Sequence, residues 1–479
     1  MMRRGMLSSM MRRGMMSSLL SLLWVRPRRG HGLLPPPERI FARRGEGWGG
    51  GLLLAQRAPH PQPLPTARKS SREEGSHPRL GLLAALSAAV VVGLAQIAIA
   101  QTPPPAPQPR VTIGYVDIAG DPRHEPIKAY ERIVLKPRES PFAGAQVGMD
   151  EAQALSRVLK IDFALERITV KSVQEVTPAV TQALERGIHF FIVDAPAEAF
   201  RPLATAVRGR EVLLFNATAP DDWLRRDLCA REIVHTLPSL AMTSDALMQH
   251  LVSRKWRDIL VLQGPLPADA ATTKAFENSV KKFGARIIAN RPFKAGTDPR
   301  EREQNNPLLL TAGTRDYDVI FIADDAFEFA RQVPYQTVRP RPLVGAIDLE
   351  PVGWHWTWEH NGAPQINTRF NRASGGRRME SADWAAWIAV KMVVQATLRT
   401  RSAEFDKQRA FILSDTGFDG YKGLAVSVRR WDQQVRQAVF LATPNAVIAS
   451  APIEGFLHRT NTLDSLGDDE PETPCKLSR

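Results

Sequence analysis

Two acidic residues are the first candidates for chemistry, because they stand where a predicted buried strand ends. Asp324 and Asp325 close the apolar run VIFIAD and open the segment after it. Adjacent carboxylates at such a place either form a carboxylate site or accept hydrogen bonds from the free N–H groups of the next helix. The residues themselves leave both interpretations open.

Histidines and the common catalytic motifs add no candidate. His355 and His360 lie five residues apart among tryptophans, without acidic partners at metal-ligand spacing. The chain lacks a glycine-rich dinucleotide turn after a strand, a phosphate-binding loop, an H-E-x-x-H zinc motif and a G-x-S-x-G nucleophile turn. We therefore predict no catalytic residue, no metal site and no cofactor, and the motifs do not indicate an enzyme.

Tryptophan is concentrated in one short region. Five of the ten tryptophans lie within 34 residues, and they are Trp354, Trp356, Trp358, Trp384 and Trp387. The first three alternate, so in an extended segment they share one face. They either pack the seam between two lobes or form an aromatic wall for an apolar, aromatic or cationic ligand.

Residues 80–100 have the features of an export signal. Arg79 precedes an apolar run that ends in Ala98-Ile99-Ala100, a small-x-small pattern typical of signal cleavage. A Pro-rich linker follows over 101–110, which cannot continue a helix. The alternative is an uncleaved membrane anchor, since the run is just long enough to span. Cleavage predicts a periplasmic protein that begins at Gln101 and has 379 of the 479 residues.

The positive charge of the chain is concentrated in its leader. Residues 1–79 contain 15 Lys and Arg against 4 Asp and Glu, which leaves 48 basic and 46 acidic residues in 80–479. A nucleic-acid partner is not predicted, because such binding needs a basic patch on a folded domain. The leader repeats MMRRGM and is rich in Arg, Gly and Pro, so we expect it to be disordered. It is either a wrongly chosen start or a long targeting extension.

The chain has two cysteines, Cys229 and Cys475. In an oxidising periplasm a disulfide between them is credible, whereas free thiols are the default in a reducing compartment. Both states stay open, because pairing cannot be read from sequence.

The rest of the chain alternates short β-branched runs with helical stretches, a pattern typical of parallel βαβ units. The predicted strands of a first set are 111–118, 168–173, 189–194 and 212–216, and those of a second set are 259–263, 286–289, 319–324 and 343–348. Helices are predicted over about 144–159, 178–186, 197–207, 243–254, 268–283, 326–332 and 381–400. Such a length and pattern predict an α/β fold of two lobes with more than one crossover.

This order of elements resembles the type I periplasmic solute-binding proteins, which include leucine/isoleucine/valine receptors of ABC transporters. The resemblance runs from Val111 to about Leu457 and includes VTIGYVDI, HFFIVDAPAEA and VLLFNATAPDD. It implies two Rossmann-like lobes with parallel sheets, the first from 111–237 and 354–410 and the second from 238–353 and 411–460, before an acidic tail over 461–479. GWHWTWEHNGAPQINTRF and DWAAWIAVKMVVQA resemble, more narrowly, the branch associated with pyrroloquinoline-quinone-dependent alcohol dehydrogenase systems.

The resemblance also implies ligand-binding turns at the carboxyl ends of strands. The implied ligand-binding residues are Asp194, Ala195, Asn216, Ala217, Thr218, Gln263, Asp324, Asp325, Trp354 and Trp356. Thr218 matches a ligand-binding hydroxyl of the amino-acid receptors. Asp194 and Gln263 depart from their pattern, and a carboxylate at Asp194 would repel a carboxylate ligand. An ordinary zwitterionic amino acid is therefore not the expected ligand.

The implied function is capture of a small molecule between the lobes and its delivery to an ABC transporter permease, with a hinge motion closing the lobes. The protein would contact the membrane only through the permease or through an uncleaved signal segment. A ligand sensor or accessory protein of a periplasmic dehydrogenase is the alternative, and an exported α/β enzyme is a third possibility.

Overall fold

The computed structural model describes residues 108–129, 132–296 and 298–477. The predicted leader, the signal segment over 80–100 and residues 101–107 of the linker lie outside these ranges. Within them, no helix combines the length and the apolar character needed to cross a membrane. The lobes described below belong to one compact unit, residues 100–479.

The first part of the chain builds a five-stranded sheet. Its strands and helices are β1 (Arg110–Ile118), β2 (Ile127–Ala129), β3 (Ile133–Lys136), α1 (Phe142–Leu159), β4 (Asp162–Val170), α2 (Val173–Glu185), β5 (Phe190–Val193), α3 (Phe200–Val207), β6 (Leu213–Asn216) and β7 (Ile233–His235). The sheet order is β4-β1-β5-β6-β7 with all neighbours parallel. β5 and β6 are buried throughout and apolar except for Asn216 at the end of β6, as expected for parallel strands covered on both faces.

The next part builds a second, four-stranded parallel sheet. Its elements are α4 (Leu240–Ser253), β8 (Asp258–Gln263), α5 (Pro267–Lys282), β9 (Arg286–Pro292), α6 (Arg302–Asn305), α7 (Pro307–Thr311), β10 (Val319–Ala323), β11 (Leu343–Gly345) and β12 (Glu350–Val352). The order is β11-β10-β8-β9. The two parallel sheets confirm the predicted α/β fold class.

The remaining elements are α8 (Ala363–Ala373), α9 (Ser381–Thr400), α10 (Phe405–Ile412), β13 (Ser427–Val428), β14 (Val435–Arg436), β15 (Val439–Thr443) and β16 (Ala446–Ala451). α9 packs on the first sheet, where Trp384 and Trp387 join a core that includes Ile113. The resemblance implies that residues 411–460 belong to the second lobe; Phe418 and Val435 of this range pack in the first core. Strands β12, β15 and β16 form an antiparallel sheet.

Among the local predictions that differ from the structure, two concern a helix and an edge strand. The predicted helix over 326–332 is a chain of turns that ends in a 3-10 turn, Ala330–Gln332. Phe327 has a φ of 56°, a left-handed conformation that interrupts helical geometry. β4 begins six residues before its predicted start and pairs with β1 as the edge strand of the sheet. The adjacent charged residues Glu166 and Arg167 interrupt its apolar pattern, so the sequence indicated only its second part.

The two cysteines form a disulfide, with the Cα atoms of Cys229 and Cys475 5.4 Å apart. The segment 461–477, here called the C-terminal strap, carries Cys475. Its Leu463 is buried, and its Leu466 belongs to the core of the second sheet. The strap therefore joins the second lobe covalently to the turn that precedes β7 in the first.

Candidate functional site

The loop after β1 places charged side chains at the end of the first sheet. Asp121 caps the 3-10 turn Pro122–His124 by accepting the N–H of Arg123 at 2.9 Å. The Arg123 guanidinium then bonds the Asp121 carboxylate (Nε to Oδ2, 3.0 Å), Thr218 Oγ1 at 3.1 Å and Asp194 Oδ1 at 3.3 Å. One arginine thus links this loop to the turns after β5 and β6.

Asp194 follows β5 and is fully buried. Its carboxylate accepts hydrogen bonds from Tyr115 Oη at 3.0 Å and Ser140 Oγ at 3.1 Å, and it lies 2.8 Å from His124 Nε2. Burial alone raises the pKa of Asp194, but the hydrogen bond and charge of His124 and the charge of Arg123 together hold it below its ordinary value. Burial and the charge of Asp194 raise the pKa of Tyr115 well above its usual range.

The turn after β6 is bonded within the protein as well. Asn216 Nδ2 donates to Ala219 O at 2.8 Å, and Asn216 Oδ1 accepts the Ala219 N–H at 2.9 Å. Ala195 and Ala217 are fully buried. Since Thr218 and Asp194 both bond Arg123, the first-lobe turns expected to hold a ligand's charged groups are occupied by side chains of this chain.

Three other predicted ligand-binding residues do not line the cavity described next. Gln263, at the end of β8, accepts from Asn290 Nδ2 at 3.4 Å. Trp354 is buried, stacks on Trp384 at 6.4 Å between ring centroids, and donates to Asn367. Trp356 packs under the Arg378 guanidinium, 3.7 Å from its ring centroid. The tryptophan cluster contributes to packing at these positions.

A cavity of about 300 Å³ lies between the two lobes. Of the predicted site residues, Asp324 and Asp325 line it. The first lobe contributes Lys136, the last residue of β3, and Arg138, two residues further on, and α9 contributes its first residue, Ser381. Its volume is at the lower end of the range for small-molecule pockets, about 300–1,000 Å³.

Two ion pairs join the hairpin side of the cavity to the opposite wall. Arg138 Nη2 lies 3.1 Å from Asp325 Oδ1 and 2.8 Å from the Asp325 carbonyl oxygen. Lys136 Nζ lies 3.4 Å from Glu350 Oε2. Asp325 was among the predicted site residues, whereas sequence reasoning missed Lys136 and Arg138, because they lie in a long polar stretch that contains no motif.

Two further carboxylates in the cavity wall are held by backbone N–H groups. Asp324 accepts from Phe329 N at 2.9 Å and from Ala330 N at 2.7 Å, so it caps the 3-10 turn. Asp269 accepts from Asp325 N at 2.7 Å. Burial raises the pKa of both Asp324 and Asp269 above the ordinary value of an aspartate.

The side chains around Asp194 also offer donor atoms suited to a metal ion. Ligand atoms of Asp121, His124 and Asp194 lie within 4.8 Å of one another. The Arg123 guanidinium, however, bonds both aspartates, so the positive charge this cluster needs is already supplied by the chain.

Comparison with known proteins gives a family and a fold. A family model described as a periplasmic binding protein matches residues 169–447. None of the curated proteins compared with the chain matches it. A branched-chain amino acid ABC transporter periplasmic ligand-binding protein from Burkholderia xenovorans has a TM-score of 0.58 at 12% identity, covering 77% of this chain and 100% of its own.

Two other solved structures are similar. An ABC transporter substrate-binding protein from Desulfitobacterium hafniense, in complex with Leu, has a TM-score of 0.53 at 14% identity and covers 71% of this chain and 99% of its own. A branched-chain amino acid transporter substrate-binding protein from Streptococcus pneumoniae, in complex with isoleucine, has a TM-score of 0.53 at 14% identity, with 71% and 98% covered. At such low identity these structures establish the shared fold alone.

Proposed function

The chain belongs to the periplasmic binding protein family, and from that premise we propose that it captures a small molecule between its lobes for delivery to an ABC transporter permease. The observation that carries the proposal is the cavity between the lobes, walled by side chains of both. Arg138 and Asp325 bond across it, so that a molecule inside would be enclosed by the lobes.

Two finer parts of the proposal rest on the sequence. The apolar segment over 80–100 supports export to the periplasm. The stretches GWHWTWEHNGAPQINTRF and DWAAWIAVKMVVQA support a link to a pyrroloquinoline-quinone-dependent alcohol oxidation system, through the resemblance noted above. In this proposal the protein binds its ligand without converting it.

A thermal-shift screen tests binding. Amines, alcohols, carboxylates, amino acids and quinone cofactors are added to the purified chain, and a ligand at 100 times its Kd is expected to stabilise the fold by about 2.7 kcal/mol. Ala346 lines the cavity, so Ala346→Trp places a large side chain inside it and should block ligand binding. Ala346→Ser is the matched control. A stabilising ligand that still binds Ala346→Trp with unchanged affinity would contradict the assigned cavity.

Reconstitution separates transport from sensing. The liganded protein is expected to raise the ATPase rate of its permease complex in proteoliposomes several-fold, whereas the Ala346→Trp variant leaves the rate at its basal level. Ligand binding without any such stimulation would instead favour the sensor or accessory role.

A further inference from the structure

We propose that the interlobe cavity takes a small organic cation: an amine with an apolar body and no carboxylate. This inference rests on the proposed function, since it names the class of ligand for the same cavity. Three properties of the cavity wall carry it: the balance of charge, the carboxylate oxygens left open, and one unbonded hydroxyl.

Carboxylates outnumber basic side chains in the cavity wall. Its two cations, Lys136 and Arg138, are each paired with a carboxylate, Glu350 and Asp325. Asp269 and Asp324 also line the cavity, and no basic side chain of the described ranges forms an ion pair with either. An anionic ligand would therefore find both cations already neutralised and would face two additional carboxylates at low dielectric.

The paired carboxylates still offer acceptor oxygens. Asp325 Oδ1 and Glu350 Oε2 bond the two cations, whereas Asp325 Oδ2 and Glu350 Oε1 have no hydrogen-bond partner among the residues that the structure describes. The Asp325 side chain is half exposed and the Glu350 side chain 27% exposed. An ammonium group carries three donors and can bond these outer oxygens without breaking either ion pair.

A hydroxyl in the cavity wall offers a further contact to a polar group of the ligand. Ser244, on α4, is 6% exposed and lines the cavity. Across the described part of the chain its hydroxyl has no hydrogen-bond partner, although its neighbour Thr243 bonds the backbone carbonyl of Leu240 at 3.0 Å. The Ser244 hydroxyl is therefore open to the cavity and can donate to, or accept from, a polar group of a ligand there.

Apolar side chains surround these polar groups. Leu240, Leu247 and Phe327 line the cavity, and the Phe327 ring already lies 5.9 Å from the Lys136 ammonium. Aromatic faces attract cations, and the leucines favour a hydrocarbon body. Burial raises the pKa of the nearby Asp269 and Asp324, and a ligand cation in the cavity would relieve that effect.

Four probes with nearly the same branched body separate the ligand classes. They are 3-methylbutylamine (cation), leucine (the same amine with a carboxylate added), 4-methylpentanoate (anion) and 3-methylbutanol (neutral), each titrated calorimetrically into the full-length chain. We expect the amine to bind at least tenfold tighter than leucine or 4-methylpentanoate, which corresponds to about 1.4 kcal/mol.

Charge variants assign the effect to the cavity. Asp325→Asn is expected to weaken amine binding about tenfold and to improve the binding of 4-methylpentanoate, because it removes a wall carboxylate and frees Arg138. Glu328→Gln is the matched control, since Glu328 is exposed, lies three residues away and does not line the cavity. Circular dichroism and thermal melts establish that both variants are folded.

The outcomes distinguish failure of the proposed ligand class from failure of the proposed function. The cation class is refuted if leucine or 4-methylpentanoate binds as tightly as the amine. It is also refuted if none of the four probes binds, or if Asp325→Asn and Glu328→Gln have equal effects on amine binding. If leucine binds and Ser244→Ala weakens it, the cavity still holds a ligand, and the proposed function stands while the ligand class does not.

Discussion

At the scale of single residues, the buried carboxylate of Asp194 shows how this chain uses its own side chains at the end of the first sheet. The pKa of Asp194 is lowered in the folded protein, so its ionised form is the stabilising one. We expect Asp194→Asn to cost about 3 kcal/mol of unfolding free energy at pH 7, as for other broken buried ion pairs. The contribution exists above the pKa of the unfolded chain and disappears as the pH falls through the lower folded value.

Urea denaturation at pH 7 and at pH 3 checks this prediction. The gap between the wild type and Asp194→Asn should shrink at the acidic pH. Asp162→Asn is the matched control: Asp162 is an exposed aspartate of the same sheet, and its substitution should change stability by less than about 0.5 kcal/mol. A gap that is equal at both pH values would mean that Asp194 is not stabilised as a carboxylate.

At the scale of elements, the contact between α1 and α9 depends on a glycine. A Cβ atom at Gly148 would lie 2.9 Å from Val390 Cβ, closer than two side-chain carbons can approach. Gly148→Ala gains about 1 kcal/mol of helix propensity, but overpacking costs about 1–3 kcal/mol. We expect a net loss of about 1 kcal/mol in chemical denaturation.

A second substitution tests the cause of that loss. Val390→Gly removes the Cβ atom that the new methyl group would strike, so Gly148→Ala should be less destabilising in the Val390→Gly background than in the wild type. Additive effects of the two substitutions would show that the helices do not meet at this point.

At the scale of the whole molecule, the C-terminal strap ties the two lobes together. Besides the disulfide, Arg226 Nη2 bonds Asp468 at 2.7 Å, and Lys282 Nζ bonds the Gly467 carbonyl at 2.8 Å. The disulfide closes a loop across a sequence separation of 246. On the chain-entropy model, replacing both cysteines by serine should cost up to about 5 kcal/mol.

Reducing and non-reducing thermal melts measure this cost. Since Cys229 and Cys475 are the two cysteines of the chain, a reductant should lower the Tm of the wild type and leave that of the double serine variant unchanged. A wild-type Tm that does not respond to complete reduction, verified by thiol labelling, would contradict a stabilising role for the bond.

The sequence by itself determined the fold class, because that information is local. The apolar runs that became β5, β6 and β10, and their alternation with helical stretches, predict buried parallel strands wherever they occur. For Asp324 the sequence predicts either a cap or a carboxylate site at a strand end, and the folded chain brings its carboxylate to the N–H groups of Phe329 and Ala330.

The tertiary structure alone decided which charges meet. Arg123 reaches Thr218 across 95 residues of sequence, and Arg138 reaches Asp325 across 187. Neither arginine stands in a motif, and the hairpin that carries Arg138 toward the cavity lies in a polar stretch without apolar periodicity. Hydrophobic patterns repeat along the chain and can be read from it, whereas an ion pair depends on where folding brings two distant residues together.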